Sequence, residues 1–302
     1  MKQQDWMRLA ADTGCDIAFD EPMSRHTSFQ IGGPADVFIT APDASSLAAV
    51  YAAVRSYGIP IRFLGNGSNL LVDDAGIRGV VVRLAAQTPP EVDKTQMVCS
   101  AGLPLKQICR AARDHALSGL EFAFGIPGFV GGAVYMNAGA YGGEIVDVIR
   151  SATVLLSDGT VTEMDKAALQ LSYRHSVLME NGGLVLAAAF DLLPGDVTDI
   201  EAKMNDFMAR RRDKQPLEYP SAGSYFKRPT GYFAGALIEQ SGLKGFAVGG
   251  AQVSEKHAGF VINRDHATCD DVLRLEEAVR DRVYRDHGVV MEREVRYWKA
   301  EE

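Results

Sequence analysis

Apolar and polar positions change their spacing several times along the chain, and each change predicts an element. Val37 to Thr40 and Ile61 to Leu64 are short apolar runs that predict strands. Between them Pro42, Asp43 and SSLAAVYAAVRSYG predict a capped helix ending at Gly58. This βαβ-like start runs into LGNGSNLLV, a strand that opens into a loop of glycine and asparagine. A second α+β unit follows, with strands near Val80 to Leu84 and Met97 to Ala101, a helix from Pro104 to Ala116, and the connection GIPGFVGGAVYMNAGAYGGE. Thr153 to Leu156, the turn Ser157-Asp158-Gly159 and Val161 to Met164 predict a hairpin, and Leu184 to Leu192 a buried strand. A polar helix from about Val197 to Arg212 leads to a third unit, where Val272, Leu275, Val279 and Val283 recur at helical spacing as one buried stripe. In VVMEREVRYW, Val289, Met291, Val295 and Tyr297 alternate with Glu292, Glu294 and Arg296, so Glu294 points away from the apolar face.

Length and composition narrow the classes. A chain of 302 residues predicts two or three compact units. With 47% hydrophobic and 23% charged residues it should fold throughout. A net charge of −8 argues against a nucleic-acid or anionic-membrane surface, so an anionic ligand needs a local basic site. The start MKQQDWMRLAADTG lacks the apolar core of a secretory signal, and no apolar run approaches the roughly 20 residues of a membrane span, which predicts a cytoplasmic protein. Cys15, Cys99, Cys109 and Cys269 are scattered singly, the pattern of reduced structural thiols and not of a disulfide frame or metal site.

Several segments could carry chemistry. Gly65, Asn66, Gly67, Ser68 and Asn69 follow an apolar strand and suit either a phosphate nest or a tight turn; they match neither a Walker A loop nor G-x-G-x-x-G. Glycines at 125, 128, 131, 132, 139, 142 and 143 are too dense for a helix or strand interior, and suit close backbone approach to a large ligand or a convoluted structural loop. Arg174, in YRHS after DKAALQL, is placed just past a helix end, where an arginine ordinarily meets the C-terminal carbonyls. Ser224 lies in a small-residue turn, PSAGSYFKRP, beside Lys227 and Arg228; with Arg210, Arg211, Arg212 and Lys214 these make the densest basic cluster of an acidic chain, either an anion site or a solvated helix end. His257 could join it. No G-x-S-x-G elbow surrounds Ser224, which argues against a hydrolase.

Taken in order, SRHTSFQIGGPAD, LGNGSNLLV, GLEFAFGIPGFVGGAVYMNAGAYGGE, YRHS, PSAGSYFKRP, GFAVGGAQVSEKHAGFVIN and MEREVRYW resemble the UDP-N-acetylenolpyruvoylglucosamine reductases, in the shorter of their two subtypes. The resemblance implies an α+β fold with a two-subdomain FAD-binding module of the PCMH or vanillyl-alcohol-oxidase type, 1–71 and 72–205, followed by a substrate-binding domain, 206–302. It implies non-covalent FAD held by residues 65–69 with Pro127, Gly128 and Gly131, and NADPH as a transient hydride donor. Arg174, Ser224 and Glu294 match the family's catalytic arginine, serine proton donor and glutamate. Tyr173, Lys214, Lys227, Arg228 and His257 fall at substrate-binding positions, although Arg228 stands where other members have asparagine and His257 where the longer subtype has glutamine. The implied work is cytoplasmic reduction of a nucleotide-sugar in peptidoglycan precursor synthesis, hence cell-wall biogenesis, cell shape and division, with no metal, nucleic acid, membrane insertion or obligate protein partner. Two other readings fit parts of the pattern: an FAD-dependent alcohol oxidase or dehydrogenase of the same fold, and a non-catalytic UDP-sugar-binding protein.

Overall fold

The computed structural model describes residues 1–85 and 88–300. The fold is α+β, and its residues cluster into two compact units. One comprises Met1–Ala18, Phe38–Asn66 and Val80–Arg211; the other comprises Phe19–Val37, Gly67–Gly79 and the chain from Arg212 onward.

The first unit is centred on an antiparallel five-stranded sheet in the order Val161–Asp165, Ile149–Leu155, Leu184–Asp191, Gln96–Ser100 and Glu91–Asp93. Met97, Val154 and Phe190 are fully buried in it, as period-two patterning requires. Helix Leu105–Asp114 buries Leu105, Ile108, Cys109 and Ala112, all on one face. Helix Ala44–Ser56 starts where Asp43 Oδ1 accepts the Ser46 amide at 2.8 Å. The parallel strands Ile61–Leu64 and Ile77–Leu84 place Leu64 opposite Arg83.

In the second unit, strands Ser221–Ser224, Phe260–Asn263, Ala251–Val253 and Ala247–Val248 form an antiparallel sheet. Helix Cys269–His287 packs on it, with Val272, Leu275, Val279 and Val283 at 0% exposure, as their spacing predicts. Burying such a side chain contributes roughly 1.5–3 kcal/mol before entropy, so this stripe is the main anchor of the helix. Thr268 caps its first turn, and Asp74 adds a second cap, its carboxylate oxygens accepting the Cys269 and Asp270 amides at 2.8 and 3.1 Å. Arg296–Trp298 pairs in parallel with Leu70–Val72.

Three expectations change. DKAALQL forms successive turns and not a helix; Leu169 is fully buried, but the segment is too short to offset helix nucleation. The glycine-rich connection does hold a helix, Val130–Tyr135, in which a Cβ at Gly131 would stand 2.9 Å from that of Ala101, so close packing explains this glycine. The last segment keeps its alternation, with Met291 and Val295 buried, yet only Arg296–Trp298 is a regular strand. The helix Gln3–Thr13, closed by Gly14 at φ 68°, was not expected from its polar sequence; Trp6 is its one buried residue.

Candidate functional site

In the first unit Arg174 occupies the centre of a tight turn closed by reciprocal Ser172 and His175 backbone hydrogen bonds, both 3.1 Å. Its φ is +56°, a left-handed value uncommon outside glycine, so the surroundings must hold the residue there. The expected helix-end position is therefore corrected to a turn apex. The guanidinium sits 5.0 Å from the Tyr173 ring centroid, and its Nη2 donates to the Gly139 carbonyl at 3.3 Å. Asn137 supports the turn from beneath. Fully buried, it donates from Nδ2 to the Ser172 carbonyl and to Glu144 Oε2, each at 3.0 Å, and accepts the Val146 amide at 2.9 Å. Ser176 Oγ adds a bond to the Tyr135 carbonyl at 2.7 Å. The glycine-rich connection is thus the platform of the arginine turn. Sequence reasoning missed Asn137; its place midway between glycines was the only available signal.

The same unit carries residues fitted to a large anionic ligand. A Cβ at Gly65 would meet no atom within 4 Å, and φ there is not left-handed, so neither packing nor conformation requires glycine; close approach by a ligand would. Asn66 Nδ2 donates to the Pro127 carbonyl at 2.7 Å, joining the glycine-asparagine loop to the glycine-rich connection. Arg83, opposite Leu64, lies 5.3 Å from the Phe129 ring centroid, and its Nε is buried with no hydrogen-bond partner. A buried cationic donor without an acceptor is a physical argument for an anion beside it. These features fit a flavin dinucleotide, but they redistribute the expected contacts. Pro127 has no amide to offer and serves to hold Asn66. The Gly131 amide donates to the Ala101 carbonyl at 2.9 Å. Gly128 lies in ordinary contact with Leu105.

In the second unit Gly67 has φ +61°, and a Cβ there would collide with the His26 carbonyl oxygen, so this glycine is obligatory. Its own carbonyl accepts the Ser28 amide at 3.1 Å, while the Ser221 amide donates to the Ser28 carbonyl at 3.1 Å. Ser68 and Asn69 continue the loop, and Asn69 Nδ2 donates to the Glu294 carbonyl at 3.2 Å. Ser224 ends a strand, not a turn. Gly223, at φ +79°, makes the irregularity in pairing with Phe260–Asn263 that leaves Ser224 exposed. The Glu294 amide donates to the Tyr225 carbonyl at 2.9 Å, the Lys227 amide to the Glu292 carbonyl at 2.8 Å, and Phe226 pairs with Arg293. Ser224 and Glu294, 70 residues apart in sequence numbers, thus lie on neighbouring antiparallel segments.

The residues of the basic cluster have different partners. Arg210 pairs with Asp206 at 2.7 Å, and Arg211 packs against Gly125, where burial lowers its pKa. Lys227 Nζ meets Glu292 at 3.2 Å, and the Arg228 guanidinium lies 3.9 Å from the Phe233 ring centroid. Lys214 ends its helix exposed, close enough to His257 to contribute to its titration. Burial foremost, with the charges of Lys244 and Lys214, lowers the His257 pKa against weaker opposing effects. His257 Nδ1 accepts the Gly259 amide at 3.1 Å, so the neutral ring carries its proton on Nε2. Among the described residues no group of three or more His, Cys, Asp or Glu could hold a metal ion, and no helix is long and apolar enough to cross a membrane.

Comparison with known proteins gives two family matches: an FAD binding domain over residues 35–165 and the C-terminal domain of UDP-N-acetylenolpyruvoylglucosamine reductase over residues 215–298. Proteins named UDP-N-acetylenolpyruvoylglucosamine reductase from Clostridium beijerinckii and Lachnoclostridium phytofermentans are each 49% identical to this chain; the match covers 93% of it and 93% and 92% of theirs. The crystal structure of UDP-N-acetylenolpyruvylglucosamine reductase from Thermus caldophilus is 35% identical and superimposes with a TM-score of 0.79, covering 94% of this chain and 98% of that one.

Proposed function

Because the chain belongs to the family of UDP-N-acetylenolpyruvoylglucosamine reductases, we propose that it is an FAD-containing oxidoreductase that reduces the enolpyruvyl group of UDP-N-acetylenolpyruvoylglucosamine to UDP-N-acetylmuramate at the expense of NADPH. FAD, when bound, supplies the chemistry of accepting a hydride from NADPH and passing it to the substrate. Gly65, Asn66, Gly67, Ser68 and Asn69 hold it without a covalent link, helped by Arg83 and by the segment around Pro127 and Gly128.

The protein's own groups manage the charge and the proton. Hydride addition to the terminal carbon of the enolpyruvyl double bond drives electron density toward the adjacent carboxylate. Arg174, a permanently charged planar fork held at a turn apex, stabilises that density. Ser224 gives its hydroxyl proton to the neighbouring carbon, completing the reduction; a weak acid suffices because the acceptor is strongly basic. Glu294, on the segment beside Ser224, meets the substrate carboxylate in protonated or water-bridged form, since two bare carboxylates repel. Tyr173, Lys214, Lys227, Arg228 and His257 bind the nucleotide-sugar, with the lysines and arginine facing its diphosphate.

The observation that carries the reading is the placing of Ser224 and Glu294 on segments joined by the Glu294 to Tyr225 backbone bond at 2.9 Å, with Asn69 of the glycine loop bonded to the same Glu294. We further propose that 1–71 and 72–205 serve the flavin, that 206–302 serves the substrate, and that the reaction supplies peptidoglycan precursor in the cytoplasm, and so cell-wall growth, cell shape and division. An absorption spectrum tests the core of this. Purified protein should be yellow, bleach with NADPH, and regain colour anaerobically on addition of the enolpyruvyl nucleotide. Bleaching by an alcohol would favour an oxidase of the same fold, and a protein that cannot bind flavin would favour a simple UDP-sugar binder.

A further inference from the structure

Glu276 is a carboxylate on the buried face of helix Cys269–His287, its side chain only 4% exposed. It stands four residues after Val272 and three before Val279, within the apolar stripe. A lone charge there would be costly, and it is not alone. Oε2 accepts the Tyr225 phenol at 2.8 Å and Arg293 Nε at 2.7 Å, and Arg280 lies 3.6 Å from Oε1. Burial first, then the Glu276 carboxylate, pushes the Tyr225 phenol well above its usual pKa, so it remains a donor. Arg293 also contacts the Tyr297 ring at 5.4 Å from its centroid.

The two residues clasped by this one oxygen are the immediate neighbours of the two proposed catalytic groups: Tyr225 follows Ser224, and Arg293 precedes Glu294. Side chains alternate across an extended backbone, so fixing Tyr225 and Arg293 inward fixes Ser224 and Glu294 on the opposite side. The Glu294–Tyr225 and Lys227–Glu292 amide bonds, the Phe226–Arg293 bridge and the Lys227–Glu292 side-chain pair join these segments, a short ladder of the kind whose register is weakly determined by backbone alone.

We propose that Glu276 is a positioning residue, which sets the register of the Ser224 segment against the Glu294 segment by holding Tyr225 and Arg293 on one carboxylate oxygen. This rests on the proposed roles of Ser224 and Glu294. It adds to them a residue that touches neither substrate nor flavin.

The test separates the two half-reactions in holoenzyme carrying Glu276→Gln. Glutamine keeps the volume but lacks the charge that holds the arginine. NADPH should bleach the variant's flavin at the wild-type rate, and reoxidation by the enolpyruvyl nucleotide should slow at least 10-fold per bound flavin, since misplacing a reacting group by about 1 Å can cost 10²-fold. Glu276→Gln combined with Ser224→Ala should be slower than Ser224→Ala alone by clearly less than the product of the two single losses, because part of the Glu276 effect runs through the hydroxyl already lost. Wild-type reoxidation rates in Glu276→Gln, or independent multiplication of the two losses, would overturn the proposal. If Glu276→Gln does not fold, Tyr225→Phe, which retains the buried ring, should slow the same step about 3-fold or more, and no slowing would overturn it. If wild-type enzyme is itself not reoxidised by the enolpyruvyl nucleotide, the proposed function fails, and that result is distinct from a variant matching an active wild type.

Discussion

Asn137→Ala perturbs the platform of the arginine turn without substituting any proposed catalytic side chain. The substitution removes both Nδ2 donations, to Ser172 and Glu144, and the Oδ1 acceptance from Val146. At fully buried Asn137 the Val146 amide loses its acceptor, and an unsatisfied buried group costs about 1–3 kcal/mol, whereas the Ser172 carbonyl keeps the His175 amide at 3.1 Å. Asn137 also has φ +43°, a conformation asparagine tolerates better than alanine, which adds roughly 1 kcal/mol. Together these give about 2–4 kcal/mol, a substantial part of the 5–15 kcal/mol typical of a native protein. Urea unfolding followed by intrinsic fluorescence should show the midpoint falling steeply at unchanged slope, and flavin reoxidation by substrate should slow because Arg174 loses its footing. Asn137→Asp should do worse at neutral pH, placing a second negative charge beside Glu144, and should recover as pH falls and the raised pKa of that new carboxyl is crossed. A midpoint for Asn137→Ala within error of wild type, with normal reoxidation, would refute the reasoning.

Three further outcomes follow from single residues. Asp74→Ala removes the second cap of helix Cys269–His287 and should cost about 1–2 kcal/mol in thermal unfolding; an unchanged Tm would show the Thr268 cap suffices. Arg83→Met should weaken FAD binding to the apoprotein about 10-fold or more, measured by flavin fluorescence, because a charge-assisted contact contributes about 1.5–3 kcal/mol; an equal Kd would remove Arg83 from the flavin site. Because the His257 pKa is lowered from 6.5, the unfolded chain binds its proton more readily, so this residue's stabilising share is complete above about pH 6.5 and declines as pH falls below it. His257→Gln should therefore flatten the acid side of the stability profile, and an unaltered slope would contradict that.

The elements that packing periodicity controls were legible in the sequence. The stripe Val272, Leu275, Val279, Val283, the strand Ile61–Leu64 and the capped helix after Asp43 all stand where spacing puts them. DKAALQL was misread because seven residues of good helix propensity do not outweigh the turns that lead into Tyr173-Arg174. The glycine-asparagine loop was only half legible: Gly65 and Gly67 lie in it on either side of Asn66, yet one glycine answers to open space and the other to a carbonyl collision, which composition cannot distinguish. Asn137, Arg83 and Glu276 escaped notice because their importance lies in burial and in partners distant in sequence. Glu276 left a trace as a carboxylate on an apolar helical stripe, and Asn137 a fainter one in its place between glycines.

The central claim is that Ser224 delivers the proton while another group delivers the hydride, so removing its hydroxyl must separate the half-reactions. Stopped-flow absorbance of Ser224→Ala, first with NADPH and then, anaerobically after reduction, with the enolpyruvyl nucleotide, measures both. Bleaching at near the wild-type rate with reoxidation slowed by about 10²-fold or more, partly restored in Ser224→Cys, is the predicted result. Reoxidation of Ser224→Ala as fast as wild type would contradict the account and leave the strand end at Ser224 a purely structural feature.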